Sequence, residues 1–313
     1  MDLDPGIKAY IAQAEAADHQ GEGALSLAEL RASYAAFSRA YDRPHPPGLV
    51  VTDGTLPGPA GDIPVRVYRP GGNVALPGIL YLHGGGWVLG SIDTHDSITA
   101  DLSDRTGAVV VSVDYRLAPE NPFPAAVDDG YAALCHVAAN AGSLGIDPDR
   151  IAVAGDSAGA NLAAAIALMA RDRDGPRLCG QALVYPALGT DFDLPSYREN
   201  AEAPMLTREA MIAYWGHYLA GDPAAADPYA APLKAASLAG LPPAFITTAY
   251  YDPLRDDGER YAERLQASGV PVELRCAGRL VHGHLRARYI SDDAAAEFDA
   301  LCVALKRFAS PPR

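Results

Sequence analysis

The chain has 313 residues, 49% of them apolar, and carries 39 acidic against 25 basic side chains for a formal net charge of −14. That much apolar material builds a large core and excludes a globally disordered chain. The acidic balance argues against a surface made for nucleic acid or anionic membranes. No stretch approaches the roughly 18 apolar residues of a membrane span. The N-terminus, "MDLDPGIKAYIAQ", lacks the basic and apolar regions of a secretory signal. The four cysteines (Cys135, Cys179, Cys276 and Cys302) form no CxxC pair, so reduced, structural thiols of a cytoplasmic protein are expected.

In chain order, residues 26–41, "SLAELRASYAAFSRAY", predict an amphipathic helix, with Ser26 as N-cap and Glu29 completing a capping box. The loop "DRPHPPG" and a β-rich stretch, "IPVRVYRP", follow. The pattern then alternates: "GILYLH" predicts a strand before a helix from 94, and "GAVVVSVDY" a strand before a helix from about 124. "IAVAG" predicts a strand before a helix from 157; "QALVYP", "AFITTAY" and "VELRCAG" are three further strands. Short Val/Ile/Leu runs alternating with helices predict a parallel sheet covered on both faces. Between Pro186 and Leu241 the alternation breaks at "LTREAMIAYWGHYLAG", whose Met211, Tyr214, Trp215 and Tyr218 share one helical face. A core-facing stripe and a cap helix lining a pocket both fit that spacing.

Two glycine-rich turns carry the chemistry. Gly155-Asp156-Ser157-Ala158-Gly159 follows the strand "IAVA" and opens an alanine-rich helix, the setting of a nucleophile elbow. A sharp turn there lifts the serine oxygen off the sheet, small residues at 155 and 159 admit neighbouring backbone, and the free N–H groups of the new helix face the reacting centre. His83-Gly84-Gly85-Gly86-Trp87 likewise follows a strand. Three successive glycines suit a backbone that approaches a ligand closely; in acyl transfer that ligand is the oxygen of the tetrahedral intermediate. A phosphate loop would need a following Lys-Ser/Thr or GxGxxG spacing, and neither is present. His83 is expected to pin this loop rather than act as a base.

"HGGGW", "GSIDTHD", "VDYRLAPENPFPAAVDD", "GDSAGANLA" and "DPLRDDGERYAERL" together resemble the hormone-sensitive-lipase-like, bacterial family IV esterases of the α/β-hydrolase fold. The resemblance runs in register from about residue 50 to the end. It implies an α/β fold with an eight-stranded, mostly parallel sheet flanked by helices and topped by a helical cap. The cap would comprise residues 1–45 and 187–235, and the catalytic domain residues 46–186 and 236–313. It also implies Gly85, Gly86 and Ala158 as oxyanion donors, with Gly84 completing the turn, and places Trp87 near the acyl pocket. Trp215, on the expected cap helix, is a candidate pocket residue. Glu120 and Asp156 match positions that support the site by hydrogen bonding; for Asp156 a solvated acid fits equally well.

In this fold the acid and base follow the serine in the order Ser, Asp or Glu, His. Three histidines follow Ser157. His217 falls inside the expected cap helix, ahead of the acid. Asp252 directly follows an apolar strand and matches the family's "DPLRD" position, whereas Asp256 and Asp257 read as the solvated start of the next helix. In "LVHGHL", His282 with Gly283 fits the family pattern of a histidine, a glycine and usually phenylalanine, and His284 stands in the aromatic place. His284 is then a packed ring, a pocket residue or a solvent contact. Zinc spacing to further ligands is missing, so no metal site is expected.

The expectation is a serine carboxylesterase with Ser157, Asp252 and His282 as its catalytic residues and no metal or organic cofactor. By resemblance it takes short- to medium-chain acyl esters, with no nucleic-acid or membrane partner, and a homodimer is left open. An amidase-, arylformamidase- or lactonase-type hydrolase on the same residues is the alternative. A non-catalytic ligand-binding receptor is disfavoured because serine, acid and histidine are all present.

Overall fold

A computed structural model of the chain describes residues 1–18, 25–72 and 74–310. Eight strands form one sheet: β1 (Val50–Gly58), β2 (Gly61–Arg69), β3 (Leu76–Leu82), β4 (Val109–Val113), β5 (Ile146–Asp156), β6 (Gly180–Val184), β7 (Ala244–Tyr251) and β8 (Val272–Val281). Their order is β1-β2-β4-β3-β5-β6-β7-β8. β1 and β2 pair antiparallel, as do β2 and β4, and every pair from β4 to β8 is parallel. β4 and β6 are buried at every position, as strands covered on both faces must be.

The helices are α1 (Pro5–Asp18), α2 (Leu27–Arg39), α3 (Asp96–Thr106), α4 (Ala125–Ala139), α5 (Ala141–Leu144), α6 (Ala158–Asp172), α7 (Pro195–Glu199), α8 (Arg208–Leu219), α9 (Arg255–Ala267) and α10 (Asp292–Phe308). α3 and α10 cover one face of the sheet through Ile98, Leu102, Phe298 and Leu301. α4, α6 and α9 cover the other, where Leu134, Ile166 and Leu265 join the largest apolar cluster. α6 is buried from Ala158 to Ala170; its alanines leave room for a helix held between the sheet and α4.

The predicted elements form where their patterns place them, including α2 with its capping box. Ser26 N–H donates to Glu29 Oε2 at 2.8 Å and Glu29 N–H to Ser26 Oγ at 3.4 Å. Five elements escaped the sequence reading: β1, α1, α5, α7 and α10. β1 contains Gly54 and Pro57 and fully buries only Leu56, so it carries no strand pattern. α1 packs Ile7 and Tyr10 against Leu280 and Val281 of β8, a tertiary contact without a local signal. α10 has the signals: Ser291 caps it, Asp292 and Asp293 open it, and Lys306 and Arg307 close it.

The β3–β5 register pairs Leu82 with Gly155, so the glycine loop after β3 and the elbow after β5 leave the sheet side by side. A Cβ on Gly155 would stand 2.5 Å from the Gly159 carbonyl carbon and 2.6 Å from Leu82 O. A Cβ on Gly159 would overlap the Leu82 backbone. Gly159→Ala is therefore expected to cost about 3 kcal/mol or more, the upper end for overpacking, read as a lower midpoint in denaturant unfolding. A loss under about 1 kcal/mol would show that the crossing is looser than this.

Candidate active site

The elbow sets Ser157 at φ 55°, ψ −119° between β5 and α6, a left-handed conformation that costs a non-glycine residue roughly 1–3 kcal/mol and concentrates at functional sites. Ser157 N–H donates to Val184 O at 2.9 Å and Ser157 O accepts from Asn161 N–H at 3.0 Å, so the strained residue is held from both sides. Ser157 Oγ lies 2.9 Å from His282 Nε2, and His282 Nδ1 lies 2.7 Å from Asp252 Oδ2. His282 directly follows β8 and Asp252 directly follows β7. The Asp252 side chain is fully buried; its other oxygen accepts Leu254 N–H at 2.9 Å, and Asn200 holds the Asp252 carbonyl at 3.2 Å. The sequence-predicted serine, histidine and aspartate thus form one hydrogen-bonded row built from three separate strand ends.

The glycine loop lies beside Ser157. Gly85 and Gly86 adopt φ 129° and 61° and line the same cavity as Ser157. A Cβ on Gly86 would meet the Tyr214 ring at 2.5 Å. Gly84 ties the loop to the elbow: its N–H donates to Asp156 Oδ1 at 3.0 Å. That oxygen also accepts from Tyr81 Oη at 2.8 Å and lies 3.4 Å from His95 Nε2. Asp156 is thus a buried backbone clamp and not a solvated acid. Burial works against its charge, but the His95 ring, the Arg286 guanidinium and the Tyr81 hydroxyl outweigh it and hold the carboxyl well below its usual range. His83 pins the loop as expected: its ring stacks on Tyr115 and its Nδ1 lies 3.0 Å from Gly84 O. Burial pushes its pKa down to about 3, so it is neutral at ordinary pH.

A cavity of about 510 Å³ opens over Ser157, within the usual range for small-molecule sites. Its roof comes from α1, from Leu30, Ser33, Tyr34 and Phe37 of α2, and from the stretch that carries Met205, Met211 and Tyr214. The α2 residues recur at helical spacing and could have been read from the sequence as a pocket face. The stripe on α8 divides: Met211 and Tyr214 line the cavity, while Trp215 and Tyr218 turn inward.

Several expectations need correction. Trp87 and Trp215 do not line the cavity; both are fully buried 4.5 Å apart, with Trp87 stacked on Tyr218 at 4.3 Å, because large rings fill the gap between loop and helix. Glu120 acts at a distance from the serine row. It pairs with Arg31 at 2.7 Å, while Arg31 also donates to Val88 O at 2.8 Å, so it docks α2 on the glycine loop's far end. Asp256 and Asp257 are not solvated. Asp257 accepts Leu188 and Gly189 N–H at 2.8 and 2.9 Å and Asp256 accepts Ser196 N–H at 2.9 Å, tying the 187–196 stretch to α9. Burial pushes Asp257 up to about 7; it faces a separate groove of about 760 Å³ that lacks Ser157 and His282.

Residues 79–286 match the family model described as the alpha/beta hydrolase fold. The chain is 50% identical over 251 residues to carboxylesterase NlhH of Mycobacterium tuberculosis, covering 79% of this chain and 78% of that protein. It is 49% identical over 248 residues to esterase LipI of the same organism, covering 78% and 77%. The solved hyperthermophilic esterase from the archaeon Pyrobaculum calidifontis matches with a TM-score of 0.92 at 40% identity over 99% of both chains. The chain belongs to the α/β-hydrolase family, in its hormone-sensitive-lipase-like, family IV branch.

His284 is a packed ring. It is fully buried, donates from Nδ1 to Val281 O at 3.1 Å, meets Tyr185 edge-on at 4.9 Å, and leaves Nε2 without a partner among the described residues. Burial pushes its pKa down to about 4. A histidine depressed in the folded state contributes stability that is present above its unfolded pKa of about 6.5 and is lost as pH falls toward 4. His284→Phe is expected to leave ester turnover intact, gain about 1 kcal/mol at pH 7 by removing the unpaired nitrogen, and flatten part of the stability loss between pH 6.5 and 4. Denaturant unfolding at pH 7 and 5 reads this, and a loss at pH 7 would contradict it.

Proposed function

We propose that this protein is a serine carboxylesterase that works through an acyl-enzyme on Ser157. It is a carboxylic ester hydrolase, in line with the carboxylesterase and esterase that it matches over most of their length. The observation that carries the assignment of roles is the row Ser157 Oγ–His282 Nε2–His282 Nδ1–Asp252 Oδ2, at 2.9 and 2.7 Å, on the floor of the cavity.

In this reading His282 Nε2 takes the proton from Ser157 as Oγ attacks the ester carbonyl. The carbonyl oxygen becomes an oxyanion and is held by the N–H groups of Gly85, Gly86 and Ala158. His282 then gives its proton to the departing alcohol, and water enters to cleave the acyl-enzyme by the same two transfers. Asp252 keeps the ring in the Nδ1–H tautomer and stabilises the imidazolium that forms. No step requires a bound cofactor. The roof formed by residues 1–45 and 187–235 acts as the cap, although residues 19–24 lie outside the described residues. A cavity of this size, walled by Tyr34, Phe37, Met205 and Tyr214, supports short- to medium-chain acyl groups. Among the described residues no helix is long and apolar enough to cross a membrane. A cytoplasmic setting, with the four cysteines unpaired, completes the reading.

Hydrolysis of nitrophenyl esters from acetate to laurate is expected to peak at short to medium length. Ser157→Ala and His282→Ala should each lose about 10⁴-fold or more in kcat, and Asp252→Asn about 10⁴-fold. Matched amides turned over as fast as esters would favour the amidase alternative, and full activity in Ser157→Ala would remove the acyl-enzyme.

A further inference from the structure

Arg286 takes no part in the reaction just described, yet it lines the cavity. It lies four residues past His282 in a short 3-10 turn (His284–Tyr289) and is only 7% exposed. A buried guanidinium needs either a carboxylate or a full set of acceptors. No carboxylate lies within ion-pairing distance of it among the described residues. Its Nη1 donates to Thr94 O, and its Nη2 donates to Tyr34 Oη at 2.9 Å and lies 3.2 Å from His95 Nε2. The same His95 nitrogen lies 3.4 Å from Asp156 Oδ1, the oxygen that accepts Gly84 N–H. Arg286 also stands over the Tyr34 ring, 5.2 Å from its centroid.

We infer that Arg286 is a positioning residue for the reaction at Ser157. Across His95 it balances the Asp156 carboxylate that orients the Gly84–Gly86 backbone, and through Tyr34 it docks α2 over the cavity. The inference rests on the esterase reading above. Of the groups that face Asp156, the hydroxyls of Tyr81, Tyr115 and Tyr185 stay neutral because burial pushes them up. Burial likewise pushes His83 and His95 down, toward the uncharged ring. Arg286 is the permanent cation of the group, held charged within its polar cage. Without it, Asp156 would keep the His95 ring and the Tyr81 and Gly84 donors but lose the guanidinium charge that helps to offset its burial. It would then protonate at higher pH and loosen its hold on Gly84 N–H.

The test compares Arg286→Met, Arg286→Gln and Arg286→Lys with the wild type on nitrophenyl butyrate from pH 5 to 9, after thermal unfolding confirms that each is folded. The uncharged variants are expected to lose about 10²-fold in kcat, the scale of a lost oxyanion donor, and to gain an acid limb in the rate profile that the wild type lacks. Arg286→Lys should recover most of the rate and the wild-type profile. Tyr34→Phe, which cuts only the link to α2, should act mainly on KM. If Arg286→Met does not fold, the glutamine and lysine pair decides. Wild-type kcat with the wild-type pH profile in Arg286→Gln would overturn the inference, as would a lysine variant as defective as the glutamine one. A wild type inert toward the ester would overturn the esterase reading itself, and the inference with it.

Discussion

The site depends on one close approach of backbone to backbone. β3 and β5 are parallel neighbours that end together, and the turn after β5 crosses the end of β3 with only hydrogen atoms at Gly155 and Gly159 between them. That contact sets the serine and the glycine loop at a fixed spacing before any side chain is considered. Asp156, between the two glycines, then reaches across to Gly84 N–H and converts the crossing into a clamp. Asp252 and His282 follow β7 and β8, farther along the same sheet, so the sheet's register carries the whole arrangement.

The acidic residues around this centre share a function that net charge conceals. Asp156 accepts Gly84 N–H, Asp252 accepts Leu254 N–H, Asp256 accepts Ser196 N–H, and Asp257 accepts two amides at 188–189. Each carboxylate satisfies backbone groups in a loop that would otherwise bury them unpaired. The 187–196 stretch is therefore fastened to α9 at the same turn that presents Asp252 to His282. A change in the packing of residues 187–196 reaches the acid through a handful of hydrogen bonds.

The alternating part of the chain was legible because strands buried on both faces and helices with one apolar face leave opposite periodicities. The serine, acid and histidine were legible for a related reason: each follows a strand that the pattern identifies. Asp256 and Asp257 misled because acids at a helix start are favoured by the helix itself, and nothing local shows that another segment's amides have taken them. For Trp87 and Trp215 packing and pocket both stayed open, because an aromatic residue beside a site looks the same in sequence whether it faces the cavity or packs behind it. Arg286 left no signal, since a cation in a turn ordinarily reads as solvated; only the converging of α2, the 94–95 turn and Asp156 gives it a role.

The most direct test of the account is covalent labelling with a fluorophosphonate, which reports an activated serine by a mass increase and locates it by peptide mapping. The account predicts one adduct, on Ser157, with labelling slowed by orders of magnitude in His282→Ala and near the wild-type rate in His284→Phe. An adduct on another residue, or a His282→Ala variant labelled as fast as the wild type, would contradict it.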